Sequence, residues 1–433
     1  MIEMTGIIVK KTDRLSGTVE APPSKAHTHR AIIAASLSEG HSSIRNPLIC
    51  DDTLATQEAC IMLGARIERV DGNLEINGIS KPLTPEDVIN CGDSGSTIRF
   101  LTPVCALADG ISILTGGKSL RKRPMGPLLK ALSDLGVRCY SANLNGFPPI
   151  VVFGGGIGGG RTSIRGDVSS QFISGLLFAT PKADGDTEMA LSTRLESKPY
   201  VNLTMDFLKK HGVEVHLDTN SERFIIPCKQ RYVPFDHVIE GDYSSAAFLL
   251  SAAALIDSQV RVNNLKQDTL QGDRVIVDIL EEMGVHIVVG EDLIEIEGVG
   301  HGLEGLSIDL QDNPDLVPIC TVLACFARGE SVIHGVSRLR FKESDRIASV
   351  ISELGKMGAK LTASKDSLII LGGSKLHGAE LDCHNDHRIS MACTIAALRA
   401  EGTTLIQGIE SINKSYPNFV KDIILLGGNA VER

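Results

Sequence analysis

The chain has no tryptophan, and aromatic residues make up only 4% of its 433 positions. So few rings leave little surface for stacking on bases, and a formal net charge of −10 argues against general affinity for nucleic acid or anionic membranes. The ten cysteines form no CxxC pair, and the first residues carry no apolar signal segment. No apolar run reaches membrane-spanning length. These absences predict a reduced, cytoplasmic protein without nucleic-acid or membrane partners.

What the sequence does have is an internal repeat. A glycine at the end of a helix-like segment recurs at intervals of roughly 70 to 76 residues. The six positions are Gly64, Gly136, Gly212, Gly284, Gly358 and Gly428. Glycine suits the left-handed residue that closes a helix. A second helix-like segment, rich in small apolar residues as in "SSAAFLLSAAALI", also recurs, and its composition predicts α/β domains with helices inside and sheets outside.

The repeat also predicts domain boundaries. The sixth copy stops at Arg433 without its hairpin, whereas residues 6–20 resemble a hairpin with no helix before it. We therefore expect the N-terminal strands to complete the last unit, which gives two domains of three units each. The domains comprise residues 21–240, and residues 1–20 with 241–433, and the chain crosses between them near 21–25 and 235–242.

Cationic side chains gather where the repeated helices begin. These residues are Lys25, Arg30, Arg99, Arg123, Lys342, Arg346, His387, Arg388 and Lys414. A helix start offers free N–H groups and a positive dipole, which together suit an anion. If each domain gathers these starts at one end, two facing ends would form a basic cleft for small, multiply anionic ligands. Asp315 and Glu343 are the acidic exceptions, and an acid among cations is a candidate proton-transfer group.

Three other motifs have competing interpretations. "GGGIGGGRT" (154–162) loosely resembles a phosphate loop but lacks the lysine and the following helix, which favours a hairpin connection. "DCHNDH" (382–387) contains metal-binding residue types without a third ligand at regular spacing, so zinc is the weaker interpretation. "SSQF" lacks a nucleophile-elbow pattern, and we interpret Ser169 and Ser170 as phosphate donors.

Eight segments together resemble the 3-phosphoshikimate 1-carboxyvinyltransferase (EPSP synthase) family. They occur in the family's order over nearly the whole chain and are "SKAHTHRA", "CGDSGSTIRF", "LTGGKSLRKRPM", "GDVSSQF", "ESKPY", "FKESDR", "NDHR" and "NKSYP". The resemblance implies two inside-out α/β domains, each of three βαβαββ units, hinged by two crossing segments. It also implies transfer of the enolpyruvyl group of phosphoenolpyruvate to the 5-hydroxyl of shikimate 3-phosphate by a protein, expected to be monomeric, that uses no metal or organic cofactor.

The resemblance assigns roles to individual residues. Those expected to bind shikimate 3-phosphate are Lys25, Arg30, Ser169, Ser170, Gln171, Ser197, Tyr200, Asp315 and Lys342. Those expected to bind phosphoenolpyruvate are Lys25, Gly95, Arg123, Gln171, Arg346, Arg388 and Lys414. The implied catalytic residues are Asp315, which takes the hydroxyl proton, and Glu343, which protonates the methylene carbon, with Lys25 and His387 as helpers.

The chain departs from the family's usual residues at Ala26, Asp93 and Arg338. The nearest alternative is the sister enolpyruvyltransferase that acts on UDP-N-acetylglucosamine, and "KESDR" and "SSQF" favour the shikimate enzyme over it. RNA 3′-phosphate cyclase is a further alternative, although no adenylate-accepting histidine motif is evident. A non-catalytic polyanion-binding scaffold is the alternative from another class, and Asp315 and Glu343 argue against it.

Overall fold

The computed structural model describes residues 6–219, 222–299 and 302–432. The chain divides into two compact units. We call Ser24–Ile239 the continuous unit, and Met1–Pro23 with Glu240–Arg433 the discontinuous unit.

The continuous unit contains six α-helices and twelve strands among its described residues. The helices are α1 (Lys25–Ser36), α2 (Asp51–Met62), α3 (Gly95–Cys105), α4 (Gly126–Asp134), α5 (Ser170–Ala179) and α6 (Lys198–Lys210). The strands are β3 (Gly40–Arg45), β4 (Arg66–Val70), β5 (Asn73–Gly78), β6 (Ile89–Asn90), β7 (Ile111–Thr115), β8 (Cys139–Ser141), β9 (Ile150–Phe153), β10 (Gly160–Ile164), β11 (Thr187–Leu191), β12 (His216–Asp218), β13 (Arg223–Ile226) and β14 (His237–Val238). They form three four-stranded sheets, ordered β14-β3-β5-β4, β6-β7-β9-β8 and β10-β11-β13-β12.

The discontinuous unit has the same organisation. Its helices are α7 (Tyr243–Leu255), α8 (Ile276–Glu282), α9 (Val317–Phe326), α10 (Arg346–Lys356), α11 (His387–Arg399) and α12 (Phe419–Leu425). Its strands are β1 (Gly6–Lys10), β2 (Arg14–Glu20), β15 (Asp257–Asn263), β16 (His286–Val289), β17 (Leu293–Val299), β18 (Ser307–Asp309), β19 (Glu330–His334), β20 (Lys360–Ala363), β21 (Ser367–Leu371), β22 (Glu380–Asp382), β23 (Thr403–Gln407) and β24 (Ala430–Glu432). The sheet orders are β16-β17-β15-β2, β18-β19-β21-β20 and β22-β23-β1-β24.

The small-residue-rich helices lie inside each unit, as predicted. All thirteen residues of α7 are buried, and α7, α9 and α11 contact one another in the core of the discontinuous unit. The strands alternate buried and exposed residues, as in β15 with its pattern of exposed Asp257 and buried Ser258. Small side chains allow helices to approach closely, and each sheet then covers one outer side of the core. The inside-out α/β fold is confirmed.

The two N-terminal strands do not form the expected hairpin. β1 lies between β23 and β24 in the sheet of the sixth repeat, which confirms half of the prediction. β2 pairs instead in parallel with β15, in the sheet of the fourth repeat. The physical reason is that the strand directly before the buried helix α7, β14, does not pair with β15, so β2 fills the parallel position beside β15. In the continuous unit β14 fills the equivalent position beside β3.

Five of the six helix-ending glycines have the predicted left-handed backbone, with φ between 73° at Gly212 and 105° at Gly64. The sixth prediction is wrong by one residue, because the left-handed residue is Gly427 (φ 97°) rather than Gly428. The Gly428 N–H donates to Ile423 O at 2.8 Å, the position that Ala65 occupies at the end of α2. A Gly-Gly pair conceals which residue closes the helix.

The glycine-rich segment 154–162 is not a hairpin connection. Residues 154–159 connect β9 to β10, residues 160–162 belong to β10, and these two strands lie in different sheets of the continuous unit. The segments near the two predicted crossings lie side by side, since Pro23 and Gly241 form an antiparallel bridge and the Asp242 N–H donates to Pro22 O.

Within the described ranges, none of the helices combines the length and the apolar character needed to cross a bilayer.

Candidate active site

Lys25 is the first residue of α1, and its ammonium group faces the start of α2. Its Nζ donates to Asp52 Oδ2 at 2.9 Å, and both side chains are mostly buried. Ser24 caps α1 by accepting from the His27 N–H. The predicted ligand cation Lys25 is therefore held at a helix start by a carboxylate, Asp52, that the sequence argument did not select.

Gly95, Arg123 and Gln171 come together in the continuous unit, as the resemblance implied. A Cβ atom placed on Gly95 would lie 2.8 Å from Arg123 Nη1 and 3.5 Å from Gln171 Oε1. Gln171 is fixed on both sides, since its Oε1 accepts from Arg99 Nη1 at 2.8 Å and its Nε2 donates to Ser96 Oγ at 2.9 Å. The missing side chain at position 95 leaves room beside a cation at the N-terminus of α3.

The predicted serines occupy helix starts in the same unit. Ser169 caps α5 by accepting from the Gln171 N–H, and Ser170 is the first residue of that helix. Ser197 precedes α6 with a left-handed backbone (φ 54°), an uncommon conformation for a residue with a side chain. Such backbone positions cluster at ligand-binding sites, which supports a functional role for this turn.

Arg30 is committed to protein acceptors. Its Nε donates to Thr204 Oγ1, its Nη2 to Tyr200 O and its Nη1 to Ala26 O, each at 2.9 Å. The guanidinium also lies over the Phe100 ring, and burial lowers the pKa of Arg30 to about 10. The observed geometry makes Arg30 a link between α1 and α6, and its predicted ligand contact remains a prediction.

Arg346 organises a cluster of carboxylates in the discontinuous unit. Its Nη1 donates to Asp315 Oδ1 at 2.7 Å, its Nη2 to Glu343 Oε2 at 2.8 Å and its Nε to Asp386 Oδ2 at 2.9 Å. Only 1% of its side chain is exposed. A planar guanidinium with donors on three sides is suited to this bridging, and a lysine could not replace it.

Asp315 lies between two arginines. Burial alone would raise the pKa of Asp315, but Arg388, Arg346 and Lys342 outweigh it and hold that pKa well below its ordinary value. Arg388 Nη2 lies 3.4 Å from Asp315 Oδ2, and Arg388 Nη1 donates to Ser244 O at 2.6 Å. Asp315 is therefore ionised at neutral pH and able to accept a proton.

Lys342 ends a 3₁₀ turn, Ser337–Phe341, immediately before Glu343. Burial lowers the pKa of Lys342 to about 8, and the nearby cations Arg338 and Arg346 act in the same direction. Asp315 partly offsets them. Lys342 is consequently a cation whose charge can be lost at mildly alkaline pH.

Asp386 links the remaining predicted residues. It is fully buried, accepts from Arg346 and caps α11 by accepting from the Arg388 N–H at 2.9 Å. His387 follows it and is buried. Lys414 Nζ donates to Asn385 O at 2.8 Å. One turn before α11 thus contacts or carries four of the predicted site residues, Arg346, His387, Arg388 and Lys414.

A further carboxylate, Asp273, lies behind Asp315. It is buried, it accepts from the Ser244 hydroxyl, and it accepts from Asn313 Nδ2 at 3.0 Å. Burial and the nearby Asp315 charge raise the pKa of Asp273. Asn313 lies two residues before Asp315, so its contact with Asp273 holds the turn that carries Asp315.

Three acids, Asp52, Asp273 and Asp386, were missed as members of the site. Each lies at a helix start, in "CDDT", "QGDR" and "NDHR", where the prediction included neighbouring cations but not the acid itself. Their positions were the available signal, because an acid among cations at a ligand-binding helix start is itself informative. Across residues 6–219, 222–299 and 302–432, His, Cys, Asp and Glu side chains form no group of three or more arranged to hold a metal ion.

Comparison with known proteins identifies the family. The sequence pattern of EPSP synthase (3-phosphoshikimate 1-carboxyvinyltransferase) matches residues 9–423. This chain belongs to the EPSP synthase family. Its members are enzymes, and so is this chain.

Full-length relatives and solved structures agree. The 3-phosphoshikimate 1-carboxyvinyltransferase of Methanocaldococcus jannaschii is 46% identical over 427 residues, covering 98% of each chain. That of a Methanococcus maripaludis strain is 44% identical over 426 residues, covering 98% of this chain and 99% of the relative. The EPSP synthase structure from Acinetobacter baumannii has a TM-score of 0.83 at 26% identity, covering 99% of this chain and 100% of that one. The enolpyruvyl transferase NikO from Streptomyces tendae, at 18% identity and a TM-score of 0.81, shares the fold.

Proposed function

We propose that the chain transfers the enolpyruvyl group of phosphoenolpyruvate to the 5-hydroxyl of shikimate 3-phosphate, releasing phosphate. The observation that carries the proposal is the bridge that Arg346 makes between Asp315 and Glu343. Addition across a carbon–carbon double bond requires a proton to be taken from the hydroxyl and another to be given to the methylene carbon. Asp315 is the candidate for the first transfer and Glu343 for the second, and both side chains contact the guanidinium of Arg346.

Asp315 acts as the base in this proposal. While Arg346 and Arg388 contact it, its low pKa makes it a weak base. The carboxylate and phosphate of phosphoenolpyruvate are the groups that such arginines bind best. When these anions engage the two arginines, Asp315 loses part of its compensating charge, and its pKa rises toward the ordinary value. Substrate binding itself would then activate the base.

Glu343 supplies the second proton, so in this proposal it enters the reaction as the protonated acid, with Oε2 still accepting from Arg346 Nη2. Transfer of its proton to the methylene carbon accompanies attack of the 5-hydroxyl oxygen on the neighbouring carbon, which forms the new C–O bond. Asp315 holds the hydroxyl proton in the resulting tetrahedral intermediate. Loss of phosphate then breaks the old C–O bond, a proton returns from the methyl carbon to Glu343, and the phosphate carries away the proton held by Asp315. Atoms and charges balance without a further reactant.

The other polar groups bind and orient the two substrates. We assign shikimate 3-phosphate to Lys25, Ser169, Ser170, Ser197 and Lys342, of which the four in the continuous unit lie at helix starts. We assign phosphoenolpyruvate to the space beside Gly95 and to Arg123, Arg346, Arg388 and Lys414. Helix N-termini and arginines provide directional donors for phosphate and carboxylate oxygens.

A phosphate-release assay tests the proposal. The chain is mixed with phosphoenolpyruvate and shikimate 3-phosphate, and inorganic phosphate is followed with time. We expect release that depends on both substrates and none when UDP-N-acetylglucosamine replaces shikimate 3-phosphate. Phosphate release only when UDP-N-acetylglucosamine is the acceptor for phosphoenolpyruvate would favour the sister activity. No release with either acceptor would refute the proposal.

We propose further that the protein works as a monomer in the cytoplasm. All ten cysteines are free thiols and eight of them are buried, which suits a reducing compartment. Sedimentation of the purified chain measures its mass in solution. A species heavier than one chain at working concentration would contradict the monomer.

A further inference from the structure

The turn before α11 has an unusual backbone. His384 and Asn385 are consecutive non-glycine residues with left-handed conformations, at φ 52° and φ 54°. Such a pair is sparsely populated and persists only where neighbouring groups hold it. We call His384–Asp386 the site turn. Its conformation decides where the Asn385 carbonyl and the Asp386 carboxylate point.

Both of these groups hold predicted ligand-binding cations. The Asn385 carbonyl accepts from Lys414 Nζ at 2.8 Å. The Asp386 carboxylate accepts from Arg346 Nε at 2.9 Å. A relaxed site turn would therefore displace two cations at once, although neither would lose its own side chain.

Glu353 contacts the site turn from α10. Its side chain is fully buried, and Oε1 lies 2.9 Å from His384 Nε2. Its Oε2 accepts from the Asp382 N–H at 2.9 Å and from Lys356 Nζ at 2.6 Å. Glu353 follows Arg346 by seven residues, or about two helical turns, so both side chains can meet the same segment. The helix thus holds the turn at its beginning through Glu353 and at its end through Arg346.

We propose that Glu353, acting through His384, is a positioning residue for phosphoenolpyruvate binding. It holds the site turn in the left-handed conformation that places Lys414 and Arg346. The inference rests on the proposed function, because it concerns the ligand of those two cations. Neither Glu353 nor His384 touches the reacting atoms in this account.

Lys356 provides an internal control. It contacts the same carboxylate as His384, but it does not lie in the site turn, and 44% of its side chain is exposed. If Glu353 only stabilised α10, losing Lys356 and losing His384 would have comparable effects. If Glu353 positions the turn, only the loss of His384 alters binding.

The test compares His384→Ala, His384→Gly and Lys356→Ala in steady-state kinetics. We expect His384→Ala to raise the KM for phosphoenolpyruvate about tenfold, the size of one lost charge-assisted contact, and to leave the KM for shikimate 3-phosphate within about twofold. His384→Gly should recover part of the loss, because glycine adopts positive φ without strain. Lys356→Ala should behave as the unmodified chain. Equal increases in both KM values, or equal effects of His384→Ala and Lys356→Ala, would overturn the proposal.

Hydrogen–deuterium exchange separates this inference from the proposed function. The amides of residues 382–387 should exchange faster in His384→Ala than in Lys356→Ala or the unmodified chain, whereas the amides of α10 should exchange at the same rate in all three. This readout needs no turnover, so it holds even if the unmodified chain releases no phosphate, a result that would refute the proposed function alone. Unchanged exchange in His384→Ala would overturn the positioning role whatever the activity.

Discussion

Arg346 Nη1 donates to Asp315 Oδ1 at 2.7 Å, although the two residues lie 31 positions apart in the chain. The contact makes one carboxylate the neighbour of a fully buried guanidinium that also holds two other acids. Breaking a buried pair by removing one partner costs about 3–5 kcal/mol, so removal of Arg346 would disturb the fold as well as the ligand site. Substitutions around Arg346 are therefore better probes than substitution of Arg346 itself.

Asp315→Asn should retain both substrates and lose turnover. The amide keeps the size of the side chain but cannot accept the hydroxyl proton, and loss of a general base costs about 10²–10⁴-fold in rate. Steady-state turnover together with equilibrium binding of shikimate 3-phosphate checks this. A variant that turns over at near-normal rate would remove Asp315 from the role of base.

Lys414→Ala should weaken phosphoenolpyruvate binding more than shikimate 3-phosphate binding. One charge-assisted contact is worth about 1.5–3 kcal/mol, which is roughly tenfold or more in KM. Arg340→Ala is the control, since Arg340 pairs only loosely with Asp345 at 3.6 Å and is partly exposed. If shikimate 3-phosphate were the substrate more affected in Lys414→Ala, our assignment of that lysine would be wrong.

Gly95→Ala should raise the KM for phosphoenolpyruvate about tenfold without unfolding the chain. The added methyl group would lie 2.8 Å from Arg123 Nη1, so the guanidinium must move, whereas alanine is favourable in a helix. Gly126→Ala is the matched control at the start of α4, because a Cβ there meets no atom within 4 Å. Unaltered kinetics in Gly95→Ala would show that Arg123 has room to move without loss of binding.

The pKa of Lys342, lowered to about 8 by burial, predicts an alkaline limit on shikimate 3-phosphate binding. The ammonium is charged below that pH and loses its charge as pH rises through it, so affinity should fall above about pH 8. Lys342→Arg should stay charged and flatten the affinity profile between pH 7 and 9. Stability responds with the opposite sign, because the unfolded chain binds more protons than the folded one between about pH 8 and 10.5. Parallel profiles for the two proteins would assign the titration to another group.

Two buried histidines predict acid sensitivity of the continuous unit. His211 Nε2 lies 2.9 Å from His237 Nε2, and burial lowers their pKa values to about 4 and about 3. Both folded pKa values lie below the unfolded value of about 6.5, so this contribution to stability is complete above pH 6.5 and is lost as pH falls toward 4. Thermal unfolding between pH 7 and 5 measures it, and His237→Leu should show a weaker pH dependence. An equally steep dependence in that variant would exclude the histidine pair.

Much of the fold follows from local sequence. Apolar helices made of small residues had to be buried, as α7 is, and a glycine after Leu63 had to close α2. The partner of β2 could not be predicted in the same way. Its alternating side chains suit any sheet, and the parallel strand β15 lies more than 200 residues away, so only the assembled unit shows which sheet lacks a strand.

The site was predicted by residue type but not by partner. We predicted both Arg346 and Arg30 as ligand-binding cations. In the structure Arg346 contacts three carboxylates, and Arg30 donates to three acceptors of the protein. The burial of carboxylates such as Glu353 and Asp273 could not be predicted from the sequence, because it depends on segments brought together from distant positions. The carboxylates that contact Lys25 and Arg346 decide how many donors these two cations have left for a ligand.

The most direct test of the central claim is a ³¹P NMR time course of the chain with equal amounts of phosphoenolpyruvate and shikimate 3-phosphate. We predict that the phosphoenolpyruvate signal is replaced by that of inorganic phosphate, while the shikimate 3-phosphate signal shifts to that of a new phosphate ester in equal amount. Inorganic phosphate appearing without the new ester would mean simple hydrolysis. That result, or two unchanged substrate signals, would contradict enolpyruvyl transfer by this chain.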